Sequence, residues 1–413
     1  VKKYIERIYG TIENKNIKID INTKNKNLII TGPNGSGKTH FLTNLHQTIK
    51  NHILMSEQDT YEYKIKRIPV IEQLLKNIKV KTDNFYNLTS ELRALKINLR
   101  YHDSKLNICT PDFRELRSKT EDLSAVNLLF SAHRQAGITT SDAARGLENE
   151  KTIYRSEMKH NRVGGSLEKH LVNLKTRSAY AIAHERDSSV AQLIERWFSD
   201  LEQNLKFLME DETTTLNYNP DTLKFTIRRK NKLDTDLQSL SSGYASILDI
   251  YSELLMRAAY LEIPPNTLSG TVLIDELEVH LHVSLQRLIL PFLENSFPNI
   301  QFIITTHSPF ILTSISNSVV YDMGTNVTTD KDLSLYSYSA VMEGLLGTRT
   351  TSKILDEIIS EIAAITQSKN GNTEKLRQYI KKVSASENSL DNRSKAFYLM
   401  GVNSILDEDQ KDV

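Results

Sequence analysis

Cysteine is almost missing from this chain, and so are bilayer-length apolar runs and any excess charge of one sign. Of 413 residues, Cys109 is the single cysteine, which excludes an internal disulfide and suits a reducing compartment. That thiol reads as a small buried hydrophobe rather than a reactive group. No apolar run approaches the ~20 residues that span a bilayer, and nothing at the start reads as a signal peptide. The expectation is a soluble, cytoplasmic protein with no membrane partner. Lys and Arg number 52 against 51 Asp and Glu, for a formal net charge of +1. No global basic field therefore advertises nucleic acid, although a local basic groove is compatible with that balance. Repeats are absent, and no heptad pattern lasts long enough for an extended coiled coil. The length suits two to three domains, or one large domain carrying insertions.

Against these absences stands one dense motif, Gly32-Pro33-Asn34-Gly35-Ser36-Gly37-Lys38-Thr39. It follows the apolar run Leu28-Ile29-Ile30 and leads into a helix-like segment from Phe41 to Ile49. A strand, a glycine-rich loop ending in Gly-Lys-Thr and then a helix is the context of a phosphate-binding P-loop. Glycines let consecutive backbone N–H groups turn inward around a phosphate, and the helix N-terminus adds positive potential. Asn34, Gly35, Ser36, Gly37, Lys38 and Thr39 are thus candidates for holding ATP. Lys38 would reach the β- and γ-phosphates, and the Thr39 hydroxyl would ligate Mg²⁺.

Elsewhere the pattern alternates. Short strand-like runs occur at Tyr4 to Tyr9, Ile17 to Ile21 and Leu28 to Thr31, and again at Leu106 to Cys109 and Val126 to Phe130. Residues 50–124 otherwise give mixed signals, with a lysine-rich helical stretch near Ile71 to Val80. From Ser141 to Met209 the chain reads as helical. Its best helix begins at Asp187 or Ser188, with a stripe of Val190, Leu193, Ile194, Trp197, Leu201, Leu205 and Leu208 at the 3.6-residue period. Leu216 to Tyr218 and Leu223 to Ile227 flank Asn219-Pro220-Asp221 as a hairpin. Apolar strands at Val272 to Ile274 and Ile300 to Thr305 bracket a helix of about a dozen residues, with Pro291 expected to bend it or to sit near its first turns. Beyond Thr351 the chain is charged and helical, broken around Asn370 to Asn372. Strand–helix alternation around a P-loop implies an α/β core with a mainly parallel sheet.

Three further stations carry chemistry. Asp275 and Glu276 end an apolar strand, where one carboxylate can hold Mg²⁺ and its neighbour can act as general base on the attacking water. His307 follows the strand Phe302 to Thr305, placed to donate to a γ-phosphate and hold the lytic water. Leu240-Ser241-Ser242-Gly243-Tyr244 opens the apolar helix Ile247 to Ala259, which by itself would pass for an ordinary helix cap.

In this order, Gly-Lys-Thr, Ser-Ser-Gly, Asp-Glu and His resemble the ABC-type ATPases. The resemblance covers roughly residues 1–60, 120–140 and 235–325. It implies an ABC-type P-loop head with a mainly parallel sheet, an N-terminal antiparallel β part and a helical insertion lobe. The implied boundaries are 1–135 and 213–350 for the two halves of the head, 136–212 for the insertion and 351–413 for a C-terminal helical segment. It casts Ser241, Ser242 and Gly243 as the signature that closes on ATP held by another protomer, giving an ATP-dependent homodimer or larger symmetric ring. Gln135 is the candidate for the glutamine linking Mg²⁺ and water to the insertion, with Arg134 or His133 as alternatives.

Transporter subunits carry Leu-Ser-Gly-Gly-Gln. Here Asp275-Glu276-Leu277-Glu278-Val279-His280-Leu281-His282 is instead similar to the Asp-Glu-Pro-Glu-x-x-Leu-His-Pro pattern of the OLD-like defence branch, with Leu277 and Val283 in place of prolines. No Toprim residues follow, so no nuclease is expected within this chain. The nearest resemblance is to the ATPase subunits of the PARIS and Septu systems, with a slight lean to PARIS. It implies a sensor and scaffold that holds a Toprim-like or HNH effector nuclease encoded nearby and releases it on a phage-derived trigger protein. The other reading is a RecF/SMC-like repair ATPase that clamps DNA, which keeps nucleic acid open as a partner.

Overall fold

The computed structural model describes residues 4–12, 17–56, 58, 60–78, 83–103, 105–134, 137–185, 188–348, 351–368, 372–387 and 390–409. Strands β1 (Arg7–Ile12) and β2 (Ile17–Asn22) form a hairpin, and β3 (Asn27–Thr31) runs into helix α1 (Lys38–Leu54). Helices α2 (Tyr61–Asn77) and α3 (Asp83–Asp103) then lie side by side, joined by the ion pairs Arg67–Glu91 and Lys96–Glu72. Next come β4 (Leu106–Cys109), α4 (Phe113–Glu121) and β5 (Ala125–Phe130). A helical stretch follows, made of α5 (Leu147–Glu157), α6 (Leu167–Tyr180) and α7 (Ser188–Met209). Beyond it are β6 (Thr215–Asn219), β7 (Lys224–Arg228), β8 (Thr235–Asp236) and the long helix α8 (Ser242–Leu261). The remaining elements of this part are β9 (Ser269–Ile274), α9 (Val283–Ser296), β10 (Ile300–Thr305), α10 (Pro309–Leu312), β11 (Ser318–Asp322) and β12 (Val327–Thr329). Helices α11 (Tyr338–Gly344), α12 (Lys353–Gln367), α13 (Thr373–Ser384) and α14 (Asn392–Asp409) complete the chain.

The central sheet has the order β12-β11-β3-β10-β9-β5, and every neighbouring pair is parallel except the edge pair β11–β12. Strands covered on both faces carry apolar residues without alternation; β3, β9, β10 and β11 are buried along their whole length. A second sheet, β2-β1-β4, is antiparallel. Gln301, fully buried at the foot of β10, joins the two sheets: its amide accepts from Ile5 N and donates to the carbonyls of Ile5 and Lys26. One core runs through both, from Ile8 and Ile21 across Leu28, Ile30 and Phe41 to Leu273 and Ile303. With its mainly parallel sheet, separate antiparallel sheet and helical stretch, the chain has an α/β fold.

The chain divides into two compact units, Val1–Tyr338 and Ser339–Val413. The second has its own small core of Ile358, Ile359, Ile362, Leu376, Val383 and Tyr398.

Three local expectations are refined. Where only Ile71 to Val80 stood out, Tyr61–Asn77 and Asp83–Asp103 form two full helices, with Val80 outside the described residues; their weak apolar bias left the pattern faint, and Ile65, Val70, Tyr86 and Ile97 remain exposed. Of the α7 stripe, Ile194, Leu201, Leu205 and Leu208 are buried and Val190 and Trp197 half-buried, whereas Leu193 is 63% exposed and Ala191 and Phe198 join the buried face. Of the two alternatives for Pro291, a place inside the helix holds: it lies within α9, beyond its first turns. Asp187, the other candidate start for α7, lies outside the described residues, as do residues 369–371 of the expected break.

Candidate functional site

Three strands of the central sheet, β3, β10 and β9 in that order, end at one edge and place three motif segments side by side. Parallel α/β sheets put ligands at the carboxyl ends of their strands. From β3 the chain enters the glycine-rich loop, in which Gly32, Gly35 and Gly37 take φ of 138°, 76° and 91°. Side-chain-bearing residues rarely adopt such values. Asn34 and Gly35 are exposed, and Ser36 and Gly37 are half-buried. The loop closes on itself through Lys38, only 6% exposed, whose Nζ donates to the carbonyls of Gly32 (3.0 Å) and Pro33 (3.2 Å). Burial lowers the Lys38 pKa, opposed by the negative field of Glu276, Glu278 and Asp275.

From β9 the chain enters Asp275, and the two ends meet there. Thr39 Oγ1 donates to Asp275 Oδ2 at 2.8 Å, and Thr305 Oγ1, at the end of β10, donates to Oδ1 at 2.6 Å. Thr305 Oγ1 also accepts from Glu276 N at 2.7 Å, while its carbonyl accepts from Leu277 N. Glu276 adopts φ 43°, an uncommon conformation for a residue with a Cβ and one that is often held at functional sites. Two residues on, Glu278 Oε1 accepts from the backbone N–H of His307 at 2.5 Å. Glu278 Oε2 and His307 Nε2 are both buried without a hydrogen-bond partner. Such orphans are costly unless something else fills the valence. Burial lowers the His307 pKa, and the nearby Lys38 cation lowers it further, against Glu278 and Glu276. The imidazole is therefore neutral at pH 7, with one nitrogen free to donate or accept.

This donor set fits a nucleotide triphosphate with Mg²⁺. The orphaned His307 Nε2 needs a partner, the Lys38 ammonium is parked on two carbonyls, and the loop is open to solvent at Asn34 and Gly35. Among the described residues no group of three or more His, Cys, Asp or Glu could hold a metal unaided. That suits Mg²⁺, which keeps most of its waters and takes one or two protein ligands beside phosphate oxygens; Thr39 and Asp275 would be those ligands.

The Ser-Ser-Gly turn stands apart from this arrangement. Ser241 and Ser242 are exposed, and Ser241 caps α8 without a side-chain hydrogen bond. Gly243 is buried and tightly packed: a Cβ there would lie 3.0 Å from Leu285 Cδ1 and 3.1 Å from the His280 carbonyl. The start of α8 is thereby fitted against the loop after β9. Further along α8, Glu253 accepts from Val163 N and Gly164 N, both at 2.7 Å, and Tyr260 donates to Glu150 of α5. These buried bonds fasten the helical stretch to α8.

Gln135 lies outside the described residues. Its neighbour Arg134, one of the two alternatives to it, lies within the described residues. It is 3% exposed and donates to the carbonyls of Ser131, Asp275, Glu276 and Leu277 and to Ser246 Oγ. Thr305 and Glu278 also escaped sequence reasoning. The available signals were a threonine closing an apolar strand just before Thr306-His307, and a second glutamate two residues beyond Glu276.

Among curated proteins, the chain is 40% identical over 95 residues to the Retron Vc95 probable ATPase of Vibrio cholerae serotype O1 biovar El Tor, covering 22% of this chain and 18% of that protein. It is 30% identical over 162 residues to the Retron Ec83 probable ATPase of Escherichia coli, covering 36% and 30%. With the Septu protein PtuA of Bacillus mycoides (strain KBAB4) it shares 36% over 86 residues, covering 20% and 12%. The matches thus span less than a third of each of these relatives. Two solved structures overlap 79% of the chain. They are the SmcHead bound to the C-winged helix domain of ScpA, at 15% identity, 97% of that chain and TM-score 0.36, and a nucleotide-free ATP-binding cassette from an ABC transporter, at 12% identity, 92% of that chain and TM-score 0.34. The family model described as "AAA domain, putative AbiEii toxin, Type IV TA system" matches residues 54–313. That is more than half of the sequence, and the chain belongs to this AAA-domain family.

Proposed function

We propose that this protein hydrolyses ATP and uses the cycle to control a partner in an anti-phage defence system. The observation that carries the catalytic part is the hydrogen-bonded chain Thr39–Asp275–Thr305, with the unpartnered His307 Nε2 beside it. Lys38 leaves its two carbonyls for the β- and γ-phosphate oxygens, and the N–H groups of the loop and of the start of α1 bind the phosphates. Thr39 and Asp275 would hold Mg²⁺, which would supply neutralisation of the phosphate charge. Glu276 takes a proton from the attacking water, whose oxygen bonds to the γ-phosphorus as the bond to the bridging oxygen breaks and ADP leaves. Neutral His307 donates to the γ-phosphate and orients that water.

The exposed Ser241 and Ser242 favour a site completed by a second copy, whose serines close on the γ-phosphate. ATP then acts as the adhesive of a symmetric dimer or larger ring. The similarity to retron ATPases and to Septu PtuA supports the defence setting and weighs more toward a Septu-like than a PARIS-like system. In that setting the chain holds an effector nuclease, of HNH or Toprim-like type, and a phage-derived protein triggers its release or activation. No helix among the described residues is long and apolar enough to cross a membrane.

Phosphate release from ATP by the purified chain, and copurification of the product of the adjacent gene, test the two parts separately. Hydrolysis by wild type with loss in Glu276→Gln supports the first. A stoichiometric nuclease in the pull-down supports the second, and full protection of cells by this gene alone contradicts it.

A further inference from the structure

We propose that Arg134 is the residue that positions the Glu276 carboxylate and ties it to helix α8. The inference rests on the ATPase reading above and concerns a side chain outside the nucleotide-binding set. A guanidinium has five N–H donors in a fixed plane, and Arg134 uses all five. Nε donates to Ser246 Oγ at 3.1 Å. Nη1 donates to Ser131 O at 2.9 Å and Asp275 O at 2.6 Å. Nη2 donates to Glu276 O at 3.0 Å and Leu277 O at 3.1 Å. Three successive carbonyls of the loop after β9 therefore converge on one side chain.

The other edge of the same loop is also pinned. Asp275 N donates to Phe130 O, Glu276 N to Thr305 Oγ1, and Leu277 N to Thr305 O. Glu276, at φ 43°, lies between these two sets of bonds. A backbone in that region persists only where its surroundings over-determine it, and Arg134 supplies the carbonyl side of that determination at all three residues, joined only at Glu276 O by Val279 N at 3.1 Å. Its charge is itself buried; burial lowers its pKa, while Asp249, Glu278 and Asp275 favour the cation. Nearly every polar group around it is committed, so a small displacement has nowhere to relax.

The fifth bond gives the arrangement a direction. Ser246 stands one helical turn beyond Ser242 at the start of α8. A shift of that turn moves Ser246, then the guanidinium, then the three carbonyls that aim Glu276. Lysine could not substitute, since three donors on a tetrahedral nitrogen cannot span this set.

The test compares Arg134→Lys, Ser246→Ala, Glu276→Gln and the double variant Arg134→Lys/Glu276→Gln in the full chain. Fluorescent-nucleotide affinity, thermal midpoint and single-turnover hydrolysis are measured for each. In Arg134→Lys the hydrolytic rate should fall by about 10²-fold, the cost typical of a reacting group displaced by an ångström, with nucleotide affinity within about threefold of wild type. The double variant should be no slower than Glu276→Gln alone, because a residue acting through another shows no separate effect once its target is gone. Ser246→Ala should slow hydrolysis by about fivefold with affinity unchanged. An Arg134→Lys rate within threefold of wild type overturns the proposal, and so does a further loss in the double variant equal to that of the single one, the mark of a purely structural residue. If Arg134→Lys does not fold, a wild-type rate in Ser246→Ala overturns the coupling to α8. Wild-type chain that hydrolyses nothing defeats the ATPase reading itself, a result separate from these.

Discussion

The loop after β9 and the turn that opens α8 both carry motif residues, and they are built in opposite ways. In the first, the Asp275 carboxylate is satisfied by Thr39 and Thr305, and the backbone is held on one side by β10 and on the other by Arg134. In the second, two serine hydroxyls face solvent and the cap has no side-chain bond, although Gly243 fixes the turn against the His280 carbonyl. The first region has its polar groups committed within the chain, whereas the second is held in place with its serine hydroxyls uncommitted. That pairing of a finished surface with an unfinished one is what the proposed catalytic site shared between copies requires, because the unfinished half gains its partners only on association.

The sharpest way to break the finished half is Glu276→Gln. Hydrolysis should fall by roughly 10²–10⁴-fold, the usual contribution of a positioned base, while nucleotide binding persists and an ATP-stabilised dimer accumulates in size-exclusion chromatography with light scattering. An unchanged rate would move the base to another residue, with His307 the first to examine. Lys38→Ala acts earlier. It should weaken ATP binding by on the order of 10²-fold or more, since the loop loses its one full charge on the phosphates, as calorimetric titration would show. Ser241→Glu probes the unfinished half. A monomer should bind ATP as wild type does, but hydrolysis should fall by about 10²-fold as a carboxylate meets the partner's γ-phosphate.

Much of this comparison was legible in the sequence because phosphate binding demands rare residues at fixed spacing. Gly32 to Thr39 could be placed between a strand and a helix from composition alone, and the apolar runs before Asp275 and His307 are buried strands as their lack of alternation implied. What escaped reading was whatever depends on long-range pairing. Arg134 stands 141 residues from Asp275, and nothing local distinguishes an arginine that saturates five acceptors from one that faces water. The pair α2–α3 stayed hidden for the opposite reason: its exposed faces keep Val70 and Ile97 in solvent, so the apolar period carries little contrast. On α7 the period and most of the face were legible, and only Leu193 turned outward while Phe198 turned in, since the two are equally apolar and only the packing decides between them.

A smaller effect follows from the neutral imidazole beside the finished half. Burial and the Lys38 charge hold the His307 pKa below that of an unfolded chain, near 6.5. Between those two values the unfolded state binds more protons, so the folded state loses stability as pH falls through 6.5 toward the folded pKa. His46, lowered mainly by burial, adds a loss of the same sign. His307→Gln should therefore flatten the thermal midpoint between pH 5 and about 6.5 relative to wild type, leaving the His46 share. An identical slope would mean that His307 titrates normally.

The shared site is tested most directly by mixing two inactive proteins. Lys38→Ala keeps an intact Ser241–Gly243 turn, and Ser241→Glu keeps an intact glycine-rich loop. In an equimolar mixture half of the dimers pair one of each, and each such dimer regains one of its two sites. The account predicts that hydrolysis returns to about a quarter of the wild-type rate, with neither protein active alone. A mixture no faster than the sum of its separate components would contradict it.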